Sequence, residues 1–160
     1  MHLGNEANCK IIFEDDHDSG IFTLSLLGGS MEYLPDLSQG VDKFQNYKRL
    51  DAGFLGIRHV ERKKLNILKN LQWISLFGNK IEDLEGDTFA DLTKVVKILL
   101  ASNQLKNLHK DLFKNNVKLE EVWLQDNQLE VFSRQTFQNN FELKTVYAAG
   151  NKLKKININF

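Results

Sequence analysis

From residue 71 onward the apolar positions fall into columns that recur every 24 residues. Leu71, Val95, Leu119 and Leu143 open the units; Ile74, Ile98, Val122 and Val146 follow, then Leu76, Leu100, Leu124 and Ala148. Ile81, Leu105, Leu129 and Leu153 come next, then Leu84, Leu108, Phe132 and Ile156, and Phe89, Phe113 and Phe137 close the turns. One polar column keeps step with them: Asn79, Asn103, Asn127 and Asn151. A fixed period of this kind predicts a solenoid, whose units cannot bury an apolar face alone and gain stability by stacking on their neighbours. Within each unit a triplet such as Val122-Trp123-Leu124 alternates inward and outward. That predicts a short strand, and the stacked strands make one parallel sheet.

Upstream the period persists less regularly. Tyr47, Leu50, Ala52, Ile57, Val60, Leu65 and Leu68 fill one more unit, with Leu55 at the Asn place. Ile21, Leu24, Leu26, Met31 and Leu34 fit a first unit of 26 residues, with Gly29 there. Before it, CKIIF and GIFTLSL flank the turn-forming EDDHDS, which predicts an antiparallel hairpin as an N-terminal cap. The expected organisation is one domain over 1–160, with a cap at 1–20 and repeats at 21–46, 47–70, 71–94, 95–118, 119–142 and 143–160. The last repeat is incomplete, which leaves Val146, Ala148, Leu153, Ile156 and Ile158 at an uncapped end. A chain that is a piece of a longer repeat protein, or that pairs end to end with another copy, is therefore expected.

The Asn column reads as scaffold. Where the chain leaves the strand it turns inside an apolar interior, and an amide there can pair with backbone groups of its own and the adjacent coil that otherwise cost about 1–3 kcal/mol each.

The skeleton L-x-x-L-x-L-x-x-N-x-L-x-x-L-x-x-x-x-F resembles the leucine-rich repeat in its 24-residue form, over residues 21–160. The resemblance implies an α/β fold, a right-handed solenoid with a parallel sheet on its concave face. Phe at the turn is similar to the subclass common in extracellular and cell-surface proteins, including Toll-type receptor ectodomains and insect secreted immune repeat proteins. The opening segment, with Cys9, a hairpin and FTLSLLGGSMEYLPD, resembles the start of the insect immune family. Caps of that family usually carry paired cysteines, whereas Cys9 is the only cysteine here and excludes an internal disulfide. It is a free or buried thiol or an intermolecular disulfide candidate. Membership would imply protein recognition on the concave face or assembly through the terminal cysteine, and no catalysis.

The strand residues at the third, fifth and seventh places of each coil face away from the core. Their columns are Thr23, Arg49, Trp73, Lys97, Glu121, Thr145; Ser25, Asp51, Ser75, Leu99, Trp123, Tyr147; and Leu27, Gly53, Phe77, Ala101, Gln125, Ala149. With adjacent strands about 4.8 Å apart, Leu99, Trp123 and Tyr147 form a strip that Trp73, Phe77 and Ala101 extend diagonally. Lys97 and Glu121 rim it. Apolar patches rimmed by charge mark contact sites, and Trp and Tyr dominate interface energetics. The competing reading is that these side chains only stabilise the sheet through cross-strand pairs, or lie under a missing segment.

Composition changes this picture little. At 42% apolar and 26% charged, the chain is ordinary for a single soluble domain able to bury a core. A formal net charge of zero points to neither nucleic acid nor an anionic membrane. Residues 1–40 hold seven acids against Lys10, and residues 41–70 hold eight Lys or Arg against three acids, both read as solvated faces. No segment approaches a membrane span, and MHLGNEANCK lacks a signal peptide's apolar run, so the chain is either cytosolic or the mature form left after signal removal.

No enzyme signature, metal site or cofactor motif is present. His2, His17, His59 and His109 are far apart in the repeat frame and match no catalytic spacing. Glu14, Asp15, Asp16 and Asp18 around His17 lack an EF-hand pattern and read as a solvated hairpin tip. Arg62, Lys63 and Lys64 read as a convex solvent face. Two functions remain. One is an extracellular recognition module, secreted or from a receptor, binding a protein or microbial surface ligand. The other is an intracellular scaffold or enzyme-regulatory repeat domain, favoured by the lack of a signal, of paired cysteines and of any N-x-S/T sequon.

Overall fold

The apolar alternation produces strands in register with the period. A computed structural model describes residues 10–16, 21–37 and 46–157. In it, β1 (Lys10–Asp16) pairs antiparallel with β2 (Ile21–Leu27). Five three-residue strands follow β2 in a parallel array: β3 (Arg49–Asp51), β4 (Trp73–Ser75), β5 (Lys97–Leu99), β6 (Glu121–Trp123) and, after β7 (Val131–Ser133), β8 (Thr145–Tyr147). A two-stranded parallel sheet of β7 and β9 (Lys155–Asn157) lies beyond the Asn column. The architecture is thus the expected solenoid, with an N-terminal hairpin and the parallel sheet on its concave face. Cys9, His2 and His17, with the intermolecular disulfide expected of the first, lie outside the described residues.

Among the described residues the returning arcs contain little helix, one turn at Arg62–Leu65 and a 3-10 turn at Arg134–Phe137. Elsewhere the arcs descend through consecutive tight turns, such as Thr88 N–H to Glu85 O, Leu92 N–H to Phe89 O and Val95 N–H to Leu92 O. Ser133 caps the 3-10 turn, its hydroxyl accepting from Gln135 N–H at 3.2 Å.

Between sheet and arcs lies one continuous core. Leu71, Ile74, Leu76, Ile81, Phe89 and Leu92 are fully buried, as are Val95, Ile98, Leu100, Leu105 and Phe113 in the next coil, each contributing about 1.5–3 kcal/mol. The turn-closing phenylalanines stack, Phe89 on Phe113 at 6.2 Å and Phe113 on Phe137 at 5.3 Å between ring centroids.

The Asn side chains bridge coils. Asn103 Nδ2 donates to Leu76 O, Leu100 O and Ala101 O, while its Oδ1 accepts from Ile81 N–H. Asn127 repeats the pattern one coil on, and Asn151 another. Asn79 Oδ1 accepts from both Leu55 and Ile57 N–H. At Leu55 the polar role passes to backbone, with Met31 N–H donating to Leu55 O at 2.7 Å.

A second Asn pair went unread in the sequence. Buried Asn116 donates to Phe89 O and Leu92 O, and Asn140, 24 residues on, to Phe113 O and Asn116 O. The repeated Asn-Asn at 115–116 and 139–140 was the available signal. Leu68 and Leu92 in the same column disguised it as apolar.

Candidate functional site

Strand alternation turns two columns of the sheet onto its concave side. Trp73 pairs in register with Lys97, and Lys97 with Glu121, while Ser75, Leu99, Trp123 and Tyr147 run in one line across β4, β5, β6 and β8. Trp73, Phe77, Lys97, Leu99, Glu121 and Trp123 are half-buried, and Tyr147 is exposed. Outward direction does not ensure exposure, however. Ser75 and Ala101, expected on the open face, are only 4% and 2% exposed, because small side chains sit lower than the rings and long chains around them.

Trp123 is held from three sides. The Lys97 ammonium lies 4.5 Å from its ring centroid, Tyr147 meets it edge-on at 5.2 Å, and the indole N–H donates to Glu121 Oε2 at 3.2 Å. Lys97 Nζ closes the cluster with an ion pair to the same carboxylate oxygen at 2.8 Å. The Lys97 hydrogen bond first, and the Trp123 hydrogen bond second, hold the Glu121 carboxyl below its ordinary value. These contacts stabilise the sheet and also fix the indole in one orientation, which lowers the entropy cost of using it as an anchor.

At the other end of the strip stands a residue that sequence reasoning passed over. The position before the ladder residue takes a left-handed backbone in successive coils: Phe54 (φ 57°), Gly78 (67°), Ser102 (55°), Asp126 (54°) and Gly150 (72°). Glycine or a short polar residue suits it. Phe there costs about 1–2 kcal/mol. Its ring is 75% exposed and meets Phe77 edge-on at 5.0 Å. The ring also lies over Gly78, where a Cβ would stand 2.6 Å from two of its carbons. The only sequence signal was an apolar residue immediately before the Asn place.

Phe54 forms one wall of a concave-face cavity of about 350 Å³ that Leu27, Trp73, Phe77 and Leu99 also line, with Asp51 as its one charged residue. A larger cavity of about 1220 Å³ opens among the returning arcs. Arg62 and Lys94 on its wall already have partners, Asp91 at 2.7 Å and Asn70 at 2.6 Å. The described histidines are likewise engaged, His59 stacked on Tyr33 and His109 Nδ1 accepting from Asp111 N–H. Among the described residues, no group of three or more His, Cys, Asp or Glu is placed to hold a metal ion, and no helix is long and apolar enough to cross a membrane.

A family model described as "Leucine rich repeat" matches residues 48–105 and 93–153. No curated protein matches the sequence. Among solved structures, a crystal structure of an LRIM1/APL1C complex matches with a TM-score of 0.72 at 24% identity, over 79% of this chain and 23% of that one. Crystal structures of the leucine-rich repeat domain of APL1B and of APL1 match with TM-scores of 0.67 and 0.72, each at 24% identity. These cover 74% and 79% of this chain and 35% and 33% of those chains. At that identity the likeness is one of fold, and the chain spans only a quarter to a third of these proteins' lengths.

Proposed function

The chain belongs to the leucine-rich repeat family, and from that premise we propose that it is a non-catalytic protein-recognition module. It binds a protein or a microbial surface ligand on its concave face, as part of a secreted or receptor-ectodomain protein of the immune type. The observation that carries this reading is the continuous Leu99–Trp123–Tyr147 strip, with its indole fixed in place by Lys97, Glu121 and Tyr147. Trp73 and Phe77 extend the contact surface toward the N-terminal coils. Large rigid aromatics flanked by charge are the side chains on which protein interfaces concentrate their energy. The fold neighbour described as an LRIM1/APL1C complex supports a protein partner, and the 24-residue form supports an extracellular setting. Assembly through Cys9 or through the last coil belongs to the same reading.

Photo-crosslinking tests it. A photoreactive residue in place of Tyr147, on the concave side, should yield a discrete adduct with a protein of the native extract or fluid. The same group in place of Val117, which is 50% exposed on a returning arc, should yield none. Adducts formed only from the Val117 position would assign recognition to the opposite side and overturn the proposal.

A further inference from the structure

Resting on the reading of the concave face as a recognition surface, we propose that the cavity beside Phe54 receives a basic side chain, lysine or arginine, projecting from a protein partner. Its volume, about 350 Å³, is ample for one inserted side chain. The walls are apolar, from Leu27, Phe54, Phe77 and Leu99, with the Trp73 indole beside them.

Asp51 alone of the lining residues carries charge. One of its oxygens accepts Gly53 N–H at 3.1 Å, and among the described residues no cation lies within ion-pair distance of it. The other charges of this face are engaged: Lys97 with Glu121, and the Arg49 guanidinium over the Trp73 ring at 5.8 Å. An apolar occupant would strip water from the Asp51 carboxylate without replacing it, and an acidic one would repel it. A basic side chain answers both features. Its methylenes cover the hydrophobic walls while its head reaches the carboxylate, and aromatic faces favour a cation.

Two backbone features keep the cavity in being. Gly53 leaves its floor open, since a Cβ there would stand 3.2 Å from Phe77 O and 3.4 Å from Asp51 Oδ1. Phe54 holds its wall from the left-handed conformation that this place takes in successive coils, which turns its ring over Gly78 and against Phe77.

The test is a pair of NMR titrations of the whole chain, with N-acetyl-arginine amide and with N-acetyl-citrulline amide, which has the same shape without the charge. The arginine probe should shift the amides of Gly53, Phe54 and Phe77 and the Trp73 indole N–H, and bind about fivefold or more tightly than the citrulline probe. Asp51→Asn, which keeps the acceptor for Gly53 N–H, should abolish that preference, and Phe54→Asn should weaken both probes. Equal binding of the two probes, discrimination that survives Asp51→Asn, or no shifts at the cavity would each overturn the inference. Should the Tyr147 position crosslink a partner while the cavity ignores arginine, this inference falls and the reading of the face stands.

Discussion

Phe54 and Gly78 form a matched pair in which a large ring fits because the next coil has no side chain at the equivalent place. Gly78→Ala meets two obstacles, a φ of 67° and the Phe54 ring at 2.6 Å. It should cost about 1–2 kcal/mol in denaturant unfolding. Combined with Phe54→Asn, part of that loss should return, giving a coupling of at least about 0.5 kcal/mol; strictly additive effects would show that ring and glycine are independent. Glu121 is a residue-scale case of another kind. Its carboxyl is held below its ordinary value of 4.5, chiefly by Lys97 and then by the Trp123 N–H. A depressed carboxyl pKa adds stability above the unfolded value, and that increment is lost as pH falls through the folded one. The melting-temperature difference between the parent and Glu121→Gln should therefore shrink as pH is lowered below 4.5, whereas a pH-independent difference would detach Glu121 from the cluster. Neither pairing could be read from the sequence in full. Periodicity placed Lys97, Glu121 and Trp123 on one face, but which atoms meet depends on rotamers that spacing does not encode.

Along each coil, what was legible is whatever repeats by chemical type. The strands and the Asn column satisfy that condition, and their register follows the 24-residue offset strand by strand. The left-handed column does not. Phe54, Gly78, Ser102, Asp126 and Gly150 share a backbone conformation and no side-chain chemistry. The same coil geometry places charged pairs across adjacent coils, Lys106 with Glu82, Lys144 with Glu120 and Lys154 with Glu130, each 24 residues apart. They are exposed and individually weak. The buried amides matter more. Asn103→Leu removes three donations and one acceptance from a dry turn, and should destabilise the chain by about 1–3 kcal/mol. Leu55→Asn should bring no gain, since Met31 N–H already donates to the Leu55 carbonyl and the leucine side chain is buried. An equal loss at Asn103 and gain at Leu55 in thermal unfolding would contradict this division of roles.

Taken as a whole, the solenoid is well sealed in its middle coils and less so toward β8. Leu119, Val122, Leu124 and Leu129 are fully buried, whereas their counterparts Leu143, Val146, Ala148 and Leu153 are only partly so. Assembly through this coil, part of the proposed reading, predicts a dimer in light scattering at micromolar concentration that Val146→Glu abolishes, with a parent that stays monomeric as the contrary result. The architecture was legible because every coil repeats the same interior. The proposed binding face was legible only in outline, because the cavity arises from Phe54, Phe77 and Gly53, whose places in neighbouring coils hold unlike residues. The claim that this face is the site of recognition is tested most directly by affinity for the partner crosslinked through Tyr147, measured for two variants. Trp123→Ala should weaken binding by about 2 kcal/mol or more, roughly thirtyfold. Phe141→Ala, which removes a ring that is 92% exposed away from the sheet, should leave it unchanged. Unaltered affinity in Trp123→Ala, with only its melting temperature lowered, would mean that the aromatic strip serves the sheet and not a partner.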